Sequence, residues 1–267
     1  MKISILLPYK ENFSPNYAGA VSLFVKDTIL RSTYYKNISV YGNTNYKKKL
    51  LPNYINLSLD KKFYQSGSKI YVDKFLDYEI NNKSNLIEVH NRPNYVKFLR
   101  EKINTKIFLY FHNDPLTMSG SITISDRLYL LENTHKLIFN SNWSKERFFV
   151  GMKNKIINFN NISVVHQSAE RTSINLKKKQ NIISFIGKLN KAKGYDLFGS
   201  AIVKILNKHQ DWKAIVLGDE PREKLIFKHN NLKILGFKNH DYVLNILKKV
   251  SISVVCSRWD EPFGRTS

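Results

Sequence analysis

Short runs of β-branched and aromatic residues alternate along the chain with longer stretches of helical period. ISILL (3–7) leads through a long connection to AVSLFVKDTIL, where Val21, Phe24, Val25 and Ile29 share one face at helical spacing. ISVYG (38–42) reads as a strand. LIEVH (86–90) precedes the helical NYVKFLREK, IFLYFH (107–112) precedes a helix around SDRLYLLEN, and KLIFN (136–140) precedes the helical SKERFFVGM. ISVVH (162–166) closes this series, and the polar, basic QSAERTSINLKKKQ that follows reads as a connector. A second series runs IISFIG (182–187), a helix YDLFGSAIVKIL, KAIVLG (213–218), LKILGF (232–237), the helical DYVLNILKKV and SISVV (251–255). In YDLFGSAIVKIL the spacing places Leu197, Phe198, Ala201, Ile202, Ile205 and Leu206 on one face. Strands alternating with crossover helices predict parallel sheets covered on both faces. The expected organisation is an N-terminal Rossmann-like domain over 1–170, a linker over 171–180 and a C-terminal Rossmann-like domain over 181–267.

Composition narrows the partners. A hydrophobic fraction of 42% in 267 residues suffices for real cores and excludes global disorder. The 43 basic and 21 acidic side chains give a net charge of +22, which attracts phosphates, nucleic acids or an anionic membrane surface. The lysines are dispersed, however, so a general drift in composition accounts for the charge equally well. The single cysteine, Cys256, lies in an apolar strand-like run and reads as a small buried hydrophobe; one cysteine allows no internal disulfide and fits a reducing compartment. The apolar run before Pro8 is shorter than the core of a signal peptide, roughly 7–15 residues. No stretch of about 18 apolar residues is present to span a bilayer. The expected location is cytoplasmic, with peripheral contact on the cytoplasmic face of an anionic inner membrane compatible with the charge.

Ligands of open parallel sheets bind beyond the carboxyl ends of the strands, and that rule selects several loops. GKLNKAKG (187–194) joins a strand to a helix; Gly187 and Gly194 relax its ends, and Lys188 and Lys193 together with a helix N-terminus suit a diphosphate. A lysine-rich surface turn is the alternative. In the closing DEPFG, Glu261 can accept hydrogen bonds from sugar hydroxyls, Gly264 allows close backbone approach, and the amides of Phe263 and Gly264 can face a phosphate. His90 and His112 each end a strand, where an imidazole can donate, accept or shuttle a proton. Asn113 and Asp114 before Pro115 also form a plausible cap. The first connection, PYKENFSPNYAGAVS (8–22), is long, and Gly19 directly precedes its helix. Walker, GxGxxG, HExxH, paired-cysteine and Asp-x-Asp patterns are lacking; Asp77-Tyr78-Glu79 falls in a helical stretch and is expected to face solvent. The expectation is therefore no metal and no separate cofactor.

Together these residues resemble retaining glycosyltransferases of the GT-B fold, family 4, which use nucleotide-sugar donors. That family's Gly-Arg/Lys-x4-Lys-Gly signature is matched by Gly187-Lys188 through Lys193-Gly194, and its Glu-x7-Glu signature by Glu261-Pro262-Phe263-Gly264-Arg265-Thr266-Ser267. EPFGRTS, FHNDP and FNSNWSKERF are similar to enzymes that build lipopolysaccharide cores and surface polysaccharides. The resemblance implies an α/β protein of two Rossmann-like domains facing across a cleft, the second incomplete because the chain breaks off inside the second signature. It implies that Lys188 and Lys193 neutralise the departing diphosphate. Glu261 would hold donor-sugar hydroxyls, while Gly187, Phe263, Gly264 and Arg265 support the donor. His112 would approach the transferred sugar, and Gly19 and His90 would lie towards a saccharide or lipid-linked saccharide acceptor. Two departures stand out: Lys188 replaces the commoner arginine, which keeps charge but loses bidentate geometry, and Ala18-Gly19-Ala20 lacks the usual paired glycine. Rival expectations are a binding-only fragment, a GT-B epimerase or phosphorylase, and a nucleic-acid-binding protein. The last calls for a basic stripe or recognisable module, which the chain does not show.

Overall fold

The alternation of strand and helix is realised in a computed structural model, which describes residues 1–59, 67–152, 160–168 and 173–264. The chain forms two compact units, Met1–Ala169 and Glu170–Ser267. In the first, β1 (Ile3–Leu6), β2 (Ile38–Gly42), β3 (Tyr54–Asn56), β4 (Leu86–His90), β5 (Lys106–Phe111), β6 (Lys136–Phe139) and β7 (Ile162–Val164) form one sheet of order β3-β2-β1-β4-β5-β6-β7. Every pairing in it is parallel. Strand order reverses between β1 and β4, so the loops leaving those strands flank the crevice where doubly wound sheets bind ligands.

Among the described residues, five α-helices cover this sheet: α1 (Ala20–Arg31), α2 (Gly67–Asn82), α3 (Asn94–Arg100), α4 (Ile124–Asn133) and α5 (Asn142–Phe149). Side chains point alternately to the two faces of a strand, and two cores follow. Ile3 and Ile5 of β1 and Val40 of β2 pack with Phe13, Leu51 and the α1 stripe Val21, Val25 and Ile29. Leu6, Tyr41, Ile87, Val89, Leu109 and Phe139 pack with Phe75, Val96, Leu130 and Phe148 on the opposite face. Local chemistry sets the helix starts. Thr123 and Asp126 form a capping box on α4, as do Ser141 and Ser144 on α5.

One solvent-facing expectation fails. Asp77 and Tyr78 are exposed, but Glu79 on α2 is buried, at 2% relative exposure. The last turn of α2 lies against the start of β1. There the Glu79 carboxylate accepts from the Ser84 amide at 2.6 Å and from Ser4 Oγ at 2.8 Å. These bonds satisfy a charge that would otherwise be costly to bury.

The second unit repeats the winding on a smaller scale. β8 (Gln180–Ile186), β9 (Lys213–Leu217), β10 (Leu232–Ile234) and β11 (Val250–Val254) form a parallel sheet of order β10-β9-β8-β11, with α6 (Tyr195–Lys208) and α7 (His240–Leu247). Its reversal point lies between β8 and β11. The core joins Ile183 and Phe185 of β8, Ala214 and Val216 of β9, and Tyr195, Phe198, Ile202 and Leu206 of α6. The buried stripe of α6 is thus offset from the expected one: Leu197, Ala201 and Ile205 are exposed, while Tyr195 and Gly199 are buried. The reason is aromatic packing, since Tyr195 and Phe198 both lie on Phe185 with ring centroids 5.3 and 5.2 Å apart. Coverage of both sheet faces also fails at β11, whose Ser251, Ile252 and Ser253 are exposed. Among the described residues, no helix is long and apolar enough to cross a membrane.

Candidate functional site

Both reversal points collect the chemistry that the sequence suggested. In the first unit, β4 ends on His90 and β5 runs into His112, and pairing of these neighbouring strands brings the two rings together. His90 Nδ1 lies 3.0 Å from His112 Nε2, and Gln167 Nε2 lies 2.6 Å from His112 Nδ1. The rings are nearly coplanar and both are buried, at 1% and 9% exposure. Two asparagines clamp the backbone. Asn91 Oδ1 accepts from the His112 and Asn113 amides at 3.0 and 3.2 Å, and Asn140 Nδ2 donates to the His112 carbonyl at 3.0 Å. Asn91 holds a left-handed φ of 58° to do this, a conformation that asparagine tolerates better than most residues. Asp114 caps the turn Pro115–Thr117 through the Leu116 amide and pairs with Arg147 at 2.8 Å. Its structural role is therefore filled.

Gly19 sits at the N-cap of α1 without a side-chain cap of its own. The carboxylate of Glu11, from the same long connection, supplies one by accepting from the Ser22 amide at 2.9 Å. A Cβ on residue 19 would collide with that carboxylate, so the glycine makes room for Glu11. Burial is the strongest influence on Glu11. It raises the carboxyl above the usual 4.5, against the lowering by the Ser22 hydrogen bond and by Arg92. A raised value means that the folded protein keeps this proton to higher pH than the unfolded chain. The resulting stability is fully present below pH 4.5 and is lost as pH rises through the folded value. Glu11→Gln, which stays neutral and still accepts from Ser22, is expected to match the parent's melting temperature at pH 4 and to exceed it at pH 8. A parent that is the more stable at pH 8 would show that the carboxylate is favoured there.

In the second unit two loops separated by about 70 residues in sequence are latched together. Arg258 donates to Asp196 through two bonds of 2.5 and 2.7 Å and to the Lys191 carbonyl at 2.8 Å, while its amide donates to Ala192 at 2.9 Å. This latch carries Glu261 to Lys193. The Lys193 ammonium donates to Glu261 Oε1, which also accepts from Ser257 Oγ at 2.7 Å. Burial opposes ionisation of Glu261, but the hydrogen bonds from Lys193 and Ser257 outweigh it and hold the carboxyl below its usual range. Lys193 also sits 5.4 Å from the ring centroid of Trp259, an arrangement favourable for a cation. Gly194 closes the loop at φ 73°, with no space for a Cβ because the Cys256 carbonyl lies against it. Cys256 itself lies just past β11, half-buried rather than enclosed in the strand, and its thiol donates to the Gly194 carbonyl at 3.2 Å.

Lys188 is exposed and adds its charge to another carboxylate, Glu220, in the loop after β9. Glu220 is gripped by Arg222 through bonds of 2.6 and 2.8 Å, which hold its carboxyl at about 2. Gly187 ends β8, and its carbonyl occupies the place where a side chain on Gly218 would stand. Phe263 and Gly264 are half-buried beside the Glu261 segment; Arg265 lies outside the described residues.

The second unit can now be placed among known proteins. Residues 166–267 match the family model "Glycosyl transferases group 1". The matched segment contains both latched loops, including Lys193 and Glu261. No curated protein sequence matches the chain. Among solved structures, it is similar to sucrose-phosphate synthase (tll1590) from Thermosynechococcus elongatus, with 14% identity and a TM-score of 0.68 over 99% of this chain and 77% of that one. It is similar also to Anabaena Alr3699/HepE in complex with UDP-glucose, with 15% identity and a TM-score of 0.69 over 99% and 76%. A third similarity is to the apo form of the lipopolysaccharide outer core galactosyltransferase WaaB, with 15% identity and a TM-score of 0.61 over 100% and 76%. At these identities the likeness is one of fold, and that fold is GT-B, built of two Rossmann-like units on parallel sheets.

Around the latched loops, sequence reading missed Arg258, Asp196 and Ser257, which bind the loops to one another, and Gly218 and Glu220, which border Gly187 and Lys188. In the first unit it missed Glu11, Asn91, Asn140 and Gln167. An uncapped helix start at Gly19, with an acid eight residues before it, was the one local signal that could have found Glu11.

Proposed function

We propose that the protein is a glycosyltransferase. It moves a sugar from a nucleotide-sugar donor to a saccharide or lipid-linked saccharide acceptor, with retention at the anomeric carbon, in the synthesis of lipopolysaccharide or another surface polysaccharide. The observation that carries this reading is the Lys193–Glu261 pair at the β8/β11 reversal point, inside the segment that matches group 1 glycosyl transferases. Breaking the bond between the anomeric carbon and the phosphate oxygen leaves positive charge on the sugar ring and puts negative charge on the diphosphate. Fixed ammonium groups stabilise that separated charge more than they stabilise the intact donor, which lowers the barrier. We assign this role to Lys193 and Lys188, assisted by the N-terminus of α6. Glu261, ionised and oriented by Ser257, accepts hydrogen bonds from donor hydroxyls, the Gly187, Phe263 and Gly264 backbone lies towards the donor, and Arg265 is assigned to donor binding by its place in the sequence motif alone. His112 is assigned to the sugar and the Gly19 loop to the acceptor, with His90 on the acceptor side of His112. The solved structure of Anabaena Alr3699/HepE contains UDP-glucose, which makes UDP-sugars the first donors to try. The test is a screen of UDP-, GDP- and ADP-sugars against saccharide and lipid-linked acceptors, reading release of nucleoside diphosphate. Release that requires an acceptor supports the reading; saturable binding of none of these donors refutes it.

A further inference from the structure

His112 has partners on both ring nitrogens, and the groups along that line permit one direction of donation. The row begins at Glu88, two residues before His90 and on the same face of β4. Glu88 Oε2 stands 3.6 Å from His90 Nε2, a buried nitrogen with no hydrogen-bond partner, while Glu88 Oε1 accepts from the Tyr110 hydroxyl at 3.3 Å. An ionised carboxylate only accepts. A lone pair on His90 Nε2 would face that charge unfavourably, whereas an N–H there is attracted to it, so the proton of neutral His90 belongs on Nε2. His90 Nδ1 must then accept, and the group 3.0 Å away, His112 Nε2, must donate. That leaves His112 Nδ1 as an acceptor, and Gln167 Nε2, 2.6 Å away, as its donor.

We propose that Gln167, His90 and Glu88 are positioning residues for His112. They form a one-directional row, Gln167 to His112 to His90 to Glu88, that fixes His112 as the neutral Nε2–H tautomer and locks its ring plane. The surroundings reinforce the lock. Tyr110 stacks on His90 with centroids 4.5 Å apart, and Phe24 of α1 meets His112 edge-on at 5.0 Å. Glu11, whose charge reaches His90, and Arg92, which acts on Glu11, are further ionisable groups near the row. With both ring nitrogens engaged within the row, the neutral His112 ring adds no fixed charge, which suits a group facing a sugar rather than a phosphate. The catalytic consequence rests on the glycosyltransferase reading; the tautomers do not.

The test is a nitrogen–proton correlation spectrum of the histidine side chains in 15N-labelled full-length protein at pH 7.5. The seven histidines can be sorted by comparison with His90→Gln and His112→Gln variants. Both His90 and His112 should show a protonated Nε2 and an unprotonated Nδ1. Gln167→Glu replaces the donor at one end with an acceptor. His112 should then move its proton to Nδ1 or become an imidazolium, whereas Gln167→Leu, which leaves His90 still accepting from Nε2, should keep the Nε2–H tautomer and loosen only the orientation of the ring. An Nδ1–H form of either histidine in the parent, or a Gln167→Glu spectrum unchanged at His112, overturns the row. In the transfer assay Gln167→Glu should lower kcat about tenfold or more, with KM for the donor nearly unchanged, because the wrong tautomer impairs the reacting complex. Intact tautomers in a protein that turns over no nucleotide sugar would uphold the row and reject the glycosyltransferase reading instead.

Discussion

Lys193→Ala lowers acceptor-dependent release of nucleoside diphosphate by about 10²–10³-fold, the loss typical of deleting one fixed group that stabilises transition-state charge. The ammonium of Lys193 reaches Glu261 across the latched loops and sits over Trp259. Its removal takes away the cation expected to face the diphosphate and leaves a half-buried carboxylate without its cationic partner, though still bonded to Ser257. Stability should change little, by about 1 kcal/mol or less, because the pair retains access to water and such pairs contribute little. Lys193→Arg should recover part of the rate, since charge is retained while the geometry changes. The check is kcat and KM for the donor in parent and both variants, alongside denaturant midpoints. A Lys193→Ala protein with near-parental turnover removes the assigned role.

Gly194→Ala should strongly destabilise the second unit, by about 2–4 kcal/mol. Two costs combine. Residue 194 holds φ 73°, where an alanine is strained by about 1–2 kcal/mol. Its Cβ would also point into the Cys256 carbonyl, which is backbone and cannot swing aside as a flexible side chain would. Relief requires the Cys256–Glu261 segment to move off the α6 loop. That movement weakens the Arg258–Asp196 latch and separates Lys193 from Glu261, so turnover should fall with stability. Urea titration reads the first effect and the transfer assay the second. An unchanged midpoint would mean that the loop and the Cys256 carbonyl are not packed in this way.

Hydrophobic patterning carried most of the fold. Among the described residues, ten of the eleven strands coincide with runs that stand out as β-branched or aromatic. The exception, β3, has three residues, all half-buried, and too little alternation to announce itself. Where patterning failed, a long-range contact had decided the outcome. Glu79 sits on a helix among polar neighbours and looks solvated until Ser4 and Ser84 are brought to it. The α6 stripe follows the shape of Phe185, which lies on another element. For the site, spacing marked Lys193 and Glu261 because each lies just beyond a strand end, and the strand order of the second unit puts those ends side by side. Spacing could not mark Arg258 or Asp196, whose importance lies in a pairing across 62 positions. Likewise His90 and His112 were legible as strand-terminal imidazoles, whereas Gln167 and Glu88, which orient them, have no sequence pattern to betray them.

The most direct measurement is photoaffinity labelling of the protein with an azido-nucleotide diphosphate sugar, followed by peptide mapping. Saturable label should fall in the peptides carrying residues 187–194 and 256–264, compete with unmodified nucleotide sugar, and weaken sharply in Lys193→Ala. Label confined to other peptides, or label in these two that excess nucleotide sugar does not displace, would contradict a donor site built on Lys193 and Glu261.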